Sequence, residues 1–177
     1  NIMSAYVGFG EAPNLTNAIV NAKKTPIQVN KKVLDTDNVT KTGDILTYTV
    51  STNVPYINPT DTDKSFWAYD ELTGAEYVNT DQATITLNGA DVTKSYPISF
   101  DSVNNKFSVN LRAMINDANS HAGEQVVITY QVKVTSENDT ITNTATAGHK
   151  DGNEYGSKES KTYEGNITLT KYGENNV

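Results

Sequence analysis

The chain has 177 residues, no cysteine and a formal net charge of −7 at pH 7. This length accommodates one domain of ordinary size with segments left over at its ends. The acidic balance and the lack of a Lys/Arg cluster argue against a nucleic-acid partner, and no apolar run approaches the length of a membrane span. Because no disulfide can form, an extracellular domain of this sequence would need a different covalent staple.

Alternation of apolar and polar residues with a period of two recurs along the chain and predicts strands separated by turns. The predicted strands are 27–34, 44–53, 65–72, 83–87, 95–100, 106–111, 124–135 and 139–147. Asn88-Gly89 separates two of them and fits a tight hairpin turn. Residues 111–119 predict one short helix. Eight short strands at this spacing predict an all-β fold built as a two-sheet sandwich.

The two ends of the chain fall outside this predicted sandwich. We interpret residues 1–25 as the end of a preceding domain plus a linker, and residues 26–150 as the sandwich domain. Residues 151–165 contain a polar loop and form a predicted linker. Residues 166–177 begin with another strand pattern, and we expect them to start a truncated following domain.

Three polar residues occupy positions that alternation assigns to apolar faces. Lys31 shares a face with Ile27, Val29 and Val33, whereas Lys32 points to water. In the strand at 65–72, Asp70 lies in a row with Phe66, Ala68 and Leu72. In the strand at 139–147, Asn143 lies in a row with Ile141, Ala145 and Ala147. Each group would be costly to bury alone, which suggests that they meet.

A buried meeting of these three groups would permit a reaction. Desolvation lowers the pKa of Lys31 and raises that of Asp70, so that both can be neutral or share one proton. The amine of Lys31 can then attack the side-chain amide of Asn143, with Asp70 shuttling protons, and a Lys–Asn amide forms as ammonia leaves. From the faces alone, two other interpretations stay open: a partly buried Lys–Asp salt bridge, and an asparagine that hydrogen-bonds a neighbouring backbone.

Five segments in the right order resemble the fimbrial isopeptide-forming D2 domain family of sortase-assembled pilin backbone subunits, over about residues 26–148. They are PIQVNKKV at 26–33, TGDILTYTV at 42–50, YDELTG at 69–74, GEQVVITY at 123–130 and NTAT at 143–146. The resemblance implies an immunoglobulin-like sandwich of the collagen-adhesin A type with an internal isopeptide bond. It implies that Lys31 and Asn143 form the bond and that Asp70 is the catalytic acid. Lys171, in the segment 165–171, is similar in position to the reactive lysine of a following domain.

The resemblance also implies a function. It predicts a structural shaft module of a Gram-positive surface pilus, extracellular and anchored to the cell wall, joined covalently to other pilin subunits by sortase. Such a module is no enzyme beyond one autocatalytic turnover, and we expect no cofactor. The chain departs from the family in lacking an LPxTG-like sorting signal and a YPK motif. The alternative function is an adhesin domain on the same scaffold that binds host matrix or glycan.

Other candidate sites are weaker. Asp35-Thr-Asp37-Asn38 and Asp61-Thr-Asp63 resemble fragments of calcium loops but lack the glycine and distal glutamate of an EF-hand, so we expect solvated turns and no metal. His121 and His149 do not have metal-ligand spacing. Trp67 and Tyr69 share the predicted outward face of their strand. Aromatic side chains in such positions more commonly cover the sheet than stack on a bound sugar.

Overall fold

The computed structural model describes residues 27–34, 39–135, 140–150 and 163–171, with only the backbone described for residues 39, 40, 140 and 163–171. Three expectations lie wholly or mostly outside these ranges: the preceding segment 1–25, the calcium-like fragment at 35–38, and the linker 151–165 up to residue 162.

The described residues form strands connected by turns and short 3₁₀ segments. The strands are β1 (Asn30–Leu34), β2 (Val39–Thr40), β3 (Ile45–Asn53), β4 (Trp67–Thr73), β5 (Ala75–Val78), β6 (Thr84–Leu87), β7 (Ala90–Asp91), β8 (Ser99–Asp101), β9 (Lys106–Asn110), β10 (Gln125–Val134), β11 (Thr140–Gly148) and β12 (Tyr163–Lys171). No helix in the described part of the chain has the length and apolar character needed to cross a membrane.

The strands are arranged in two sheets. The first has the order β1-β3-β10-β6-β7, with β5 also paired to β10, and the second has the order β2-β12-β11-β4-β9-β8. The pairing is antiparallel throughout except between β12 and β2. The predicted immunoglobulin-like β-sandwich is confirmed.

Alternation along the central strands builds the core between the sheets. In β3 and β10, every second residue is buried over most of the strand. Tyr48 and Val50 of β3 face the core together with Ile128 and Tyr130 of β10. Because side chains in a strand alternate between the two faces, one face of β3 and of β10 packs in the core while the opposite face lies toward solvent.

The turn at Asn88-Gly89 has the predicted geometry but a different second strand. Both residues have positive φ, 49° and 83°, as a two-residue type I′ hairpin requires. The turn joins β6 to the short β7, whereas the predicted partner at 95–100 is reduced to β8 after a 3₁₀ turn at Thr93–Ser95. The hairpin prediction is confirmed, and its second strand was placed too late in the chain.

The predicted helix at 111–119 is wrong. Only Arg112–Met114 form a 3₁₀ turn, and Ile115 is already extended at φ −107° and ψ 125°. The side chain of Asn116 then accepts a hydrogen bond from the Ser120 backbone N–H at 3.1 Å. Asparagine side chains that bond to nearby backbone compete with helical hydrogen bonding, which explains why the helix does not continue.

The C-terminal strand adds to the sandwich. β12 pairs with β11 from Thr140↔Thr170 to Ala147↔Tyr163. The expected boundary between a linker ending at 165 and a new domain starting at 166 therefore falls inside a strand of the second sheet. The spacing of a single alternating strand does not reveal its partner, which explains why the sequence suggested a separate unit. Whether a further domain follows stays a prediction.

Candidate functional site

The structure brings together the side chains of Lys31, Asp70 and Asn143 between the two sheets. Lys31 lies on β1, at the edge of the first sheet, while Asp70 on β4 and Asn143 on β11 belong to adjacent strands of the second sheet. The side chains of Lys31 and Asp70 are 1% and 0% exposed, and Asn143 is fully buried. The inward faces predicted for these residues are correct.

The amine of Lys31 contacts both other groups. Its Nζ lies 2.8 Å from Oδ1 of Asp70 and 2.8 Å from Oδ1 of Asn143. Since a C=O bond is about 1.2 Å long, the Lys31 nitrogen is at most about 4 Å from the amide carbon of Asn143. That separation is close to the ~3–3.5 Å at which a nucleophile and its target are ready to react.

Two tyrosines complete the polar cluster, and sequence reasoning missed both. The hydroxyl of Tyr130, on β10, donates to Asp70 Oδ1 at 2.8 Å and accepts from Asn143 Nδ2 at 2.7 Å and from Lys31 Nζ at 3.0 Å. The hydroxyl of Tyr77, on β5, donates to Asp70 Oδ2 at 2.7 Å. Tyr130 is the last residue of the family-like segment GEQVVITY at 123–130, and this segment was the sequence feature that could have pointed to it.

Aromatic rings enclose the cluster. The ring of Tyr48 is stacked on that of Tyr130 with centroids 5.8 Å apart, and Phe107 meets Tyr130 edge-on at 5.0 Å. Lys31 Nζ lies 5.6 Å and 5.7 Å from the centroids of Tyr48 and Tyr130. Such rings keep water away from the amine, and their faces attract it while it carries a charge.

Burial dominates the ionisation of the pair. Desolvation lowers the pKa of Lys31, and the charge and hydrogen bond of Asp70 oppose this only in part. Desolvation also raises the pKa of Asp70, against the opposing effects of Lys31, Tyr77 and Tyr130. Both directions favour the neutral forms, a free amine and a protonated carboxyl. The burial therefore favours the nucleophilic form of the Lys31 amine beside the Asn143 amide.

The remaining sequence candidates lie elsewhere. His121 contacts Glu124 at 2.7 Å, and His149 lies 3.4 Å from Asp63. Asp63 also accepts a hydrogen bond from the Ser65 backbone at 3.0 Å, as in an Asx turn. Among the described residues, no group of three or more His, Cys, Asp or Glu side chains could hold a metal ion. The side chain of Lys171 lies outside the described part of the structure.

The outer face of the second sheet carries a groove. Trp67 and Tyr69 stack on this face with centroids 5.9 Å apart and an interplanar angle of 9°. Tyr69 also lines an open groove of about 560 Å³, together with Glu71, Lys106 and Thr144. Asp70 of the buried cluster is also among the residues that line the groove, but strand alternation places the side chains of Tyr69, Glu71 and Thr144 on the face of the sheet opposite to those of Asp70 and Asn143.

Comparison with known proteins gives matches at the level of structure. No family model and no curated protein matches the chain. The major pilin SpaA of Corynebacterium diphtheriae superposes with a TM-score of 0.64 at 20% identity, over 82% of this chain and 39% of that chain. BcpA, the major pilin subunit of Bacillus cereus, gives 0.56 at 14% identity, over 82% and 39%.

Gram-positive major pilins are therefore among the structural neighbours of the chain. The N-terminal domain of the Streptococcus gordonii adhesin Sgo0707 is also similar, with a TM-score of 0.58 at 13% identity, over 82% of this chain and 32% of that one. At these identities the similarity establishes the fold. The chain spans about two fifths of the two pilins.

Proposed function

We propose that the chain is a structural shaft module of a Gram-positive surface pilus, stapled by an isopeptide bond that it forms between its own Lys31 and Asn143. The observation that carries the proposal is the contact of the Lys31 amine with the Asn143 amide and the Asp70 carboxyl in a water-excluded cluster. The fold shared with SpaA and BcpA supports it. The structure of SpaA points to a modular pilus assembly and to stabilizing isopeptide bonds.

The reaction exchanges one amide for another. The neutral amine of Lys31 attacks the side-chain carbonyl carbon of Asn143, and a new C–N bond forms. The attacking nitrogen gives up one proton, and the departing nitrogen gains one, with the Asp70 carboxyl serving as both general acid and general base. The bond between the carbon and the original amide nitrogen breaks, and ammonia leaves. Folding supplies the high effective concentration that amide exchange in solution lacks.

The bond would join the two sheets. Lys31 belongs to the edge strand of the first sheet and Asn143 to an inner strand of the second, 112 residues later in the chain. In the loop-entropy model of covalent cross-links, closing a loop of that size contributes about 4–5 kcal/mol to the free energy of unfolding. An amide also resists reduction, which would suit a domain without disulfides in an exposed extracellular structure.

Polymerisation and location are inferred from the fold shared with the neighbouring pilins. A shaft module would be joined to further pilin subunits by sortase and held at the cell wall, and the fold of the neighbouring pilins supports this. The chain spans 39% of SpaA. The linkage between subunits is therefore proposed for a whole pilin subunit and is not assigned to residues of this domain. Force transmitted along such a shaft would pass through the Lys31–Asn143 bond, because this bond ties a strand near the start of the sandwich to one near its end.

The test of this proposal is the intact mass of the purified protein. The parent is expected to lack the mass of one ammonia, whereas Lys31→Ala and Asn143→Ala are expected to show their full sequence masses. Lys32→Ala is the matched control because Lys32 is the adjacent lysine and its side chain is exposed; it is expected to keep the deficit. A parent at its full sequence mass would refute the cross-link.

A second candidate function is binding of host matrix or glycan at the outer groove. The stacked Trp67 and Tyr69 beside that groove favour it, since aromatic faces stack on sugar rings. The structural similarity to the adhesin Sgo0707 is compatible with it. Retention on a glycan array or on immobilised collagen that is lost in Trp67→Ala would support this function, and no retention on either would contradict it.

A further inference from the structure

One hydroxyl in the buried cluster contacts every group that takes part in the proposed reaction. Tyr130 Oη is 2.8 Å from Asp70 Oδ1, 2.7 Å from Asn143 Nδ2 and 3.0 Å from Lys31 Nζ. We propose that Tyr130 is a catalytic residue of the cross-linking reaction, and that its hydroxyl passes a proton from the Asp70 carboxyl to the departing nitrogen of Asn143. This inference rests on the proposed function.

The need for a relay follows from the contacts of the carboxyl. The amide nitrogen of Asn143 has to leave as ammonia and therefore has to receive a proton. In the described part of the chain, Asp70 Oδ1 contacts Lys31 and Tyr130, and Oδ2 contacts Tyr77. No hydrogen bond among these residues joins the Asp70 carboxyl directly to the Asn143 amide. The Tyr130 hydroxyl lies between the two groups, within hydrogen-bond distance of both.

The proton transfers balance as follows. When the Lys31 amine attacks, the side-chain carbonyl carbon of Asn143 becomes tetrahedral and the amide resonance is lost. The lone pair of the Asn143 nitrogen is then no longer delocalised, so this nitrogen can accept a hydrogen bond as well as donate one. The Tyr130 O–H then turns toward this nitrogen and gives up its proton, while its oxygen takes the proton of the Asp70 carboxyl. Asp70 recovers a proton from the attacking nitrogen of Lys31, which lies 2.8 Å away. The C–N bond breaks, ammonia leaves, and Tyr130 and Asp70 are both regenerated.

The surroundings of Tyr130 suit a relay. The ring is fixed between Tyr48, stacked at 5.8 Å, and Phe107, edge-on at 5.0 Å, so the hydroxyl is held in place while its proton rotates. Burial and the charge of Asp70 raise the pKa of Tyr130 well above its usual value. The phenol therefore keeps a proton at rest and gives one up only when it receives another.

Tyr77 provides a matched comparison. Its hydroxyl also donates to the Asp70 carboxyl, at 2.7 Å, but to the other oxygen, Oδ2. Its ring is half-buried and packs against the core, 5.9 Å from Tyr130. Tyr77→Phe and Tyr130→Phe thus each remove one phenol hydrogen bond to Asp70, and only Tyr130→Phe removes the contact with the leaving nitrogen.

The test compares the rate of cross-linking in the full chain. Parent, Tyr130→Phe and Tyr77→Phe are synthesised in a cell-free reaction, quenched into denaturant at a series of times, and scored by intact mass for the loss of one ammonia. Near-ultraviolet circular dichroism checks that each variant folds. Because general acid catalysis contributes roughly 10²–10⁴-fold, Tyr130→Phe is expected to slow the reaction at least about a hundredfold. Tyr77→Phe is expected to slow it by less than about tenfold, the value of one hydrogen bond.

The outcomes separate this inference from the proposed function. A parent that shows no deficit overturns both. A parent that cross-links while Tyr130→Phe and Tyr77→Phe are slowed equally overturns the relay alone. If Tyr130→Phe does not fold, a ring-fluorinated tyrosine at position 130 keeps the shape and changes the acidity of the phenol. An altered rate in that protein supports the relay, and a rate equal to that of the parent contradicts it.

Discussion

Mechanical extension gives a direct measure of what the proposed bond would do. The chain between Lys31 and Asn143 spans 112 residues. At about 3.3–3.6 Å per extended residue, the loop that the bond would close has a contour length of roughly 370–400 Å. When the domain is pulled from its two ends, the parent is expected to release none of this length. Lys31→Ala, which cannot form the bond, is expected to release nearly all of it.

The assay is single-molecule force spectroscopy on the domain placed between marker domains of known extension. Lys32→Ala serves as the control because it removes a neighbouring, exposed lysine, and it is expected to behave like the parent. The reasoning is refuted if the parent extends by the same roughly 370–400 Å as Lys31→Ala at similar force. In that case the load would pass through the sandwich itself.

Three further predictions concern stability and rate. In a calorimetric scan, Asn143→Ala is expected to lower the melting temperature by roughly 8–20 °C, because a loss of about 4–5 kcal/mol has this effect in a chain of this size. A shift of only a degree or two would contradict the loop-entropy reasoning. Asp70→Asn is expected to slow cross-linking at least about a hundredfold by time-resolved intact mass, and formation at the parent rate would exclude the carboxyl as proton shuttle. Gly89→Ala is expected to lower the free energy of unfolding by about 1 kcal/mol, because Gly89 has a φ of 83°, which alanine adopts only with strain. The measurement is denaturant unfolding in the Asn143→Ala background, and an unchanged midpoint would contradict the prediction.

The orientation of the three central side chains could be predicted from the sequence because strand geometry is local. Successive residues of a strand point to opposite faces, so alternation alone placed Lys31, Asp70 and Asn143 toward the core. Alternation does not state which strands are neighbours. That the three residues meet was suggested by the order of the family-like segments, because the contacts join strands up to 112 residues apart.

The tyrosines could not be identified in the same way. Tyr130 continues the apolar row of β10 with Val126 and Ile128, and its buried ring already explains its position. An aromatic row contains no sign that the hydroxyl at its tip contacts three polar groups. Tyr77 lies on β5, a four-residue strand that follows β4 after Gly74 alone, and a segment so short contains too little alternation to be recognised.

The pairing of β12 shows the same limit. The pattern at 166–171 was correctly predicted to be a strand, but its hydrogen bonds go back to β11. A strand pattern gives the direction of side chains and leaves the partner open, since antiparallel neighbours are set by the packing of the whole sandwich. Resemblance to the opening strand of a next domain was therefore insufficient to place the segment outside the sheet.

The most direct test of the account is tandem mass spectrometry of the denatured, trypsin-digested protein. Lys31 in an amide bond is not cleaved, so the account predicts one branched species in which residues 25–32 are joined through Lys31 to Asn143 of residues 134–150, less one ammonia. Recovery of the two segments as separate linear peptides, with cleavage after Lys31, would contradict the account.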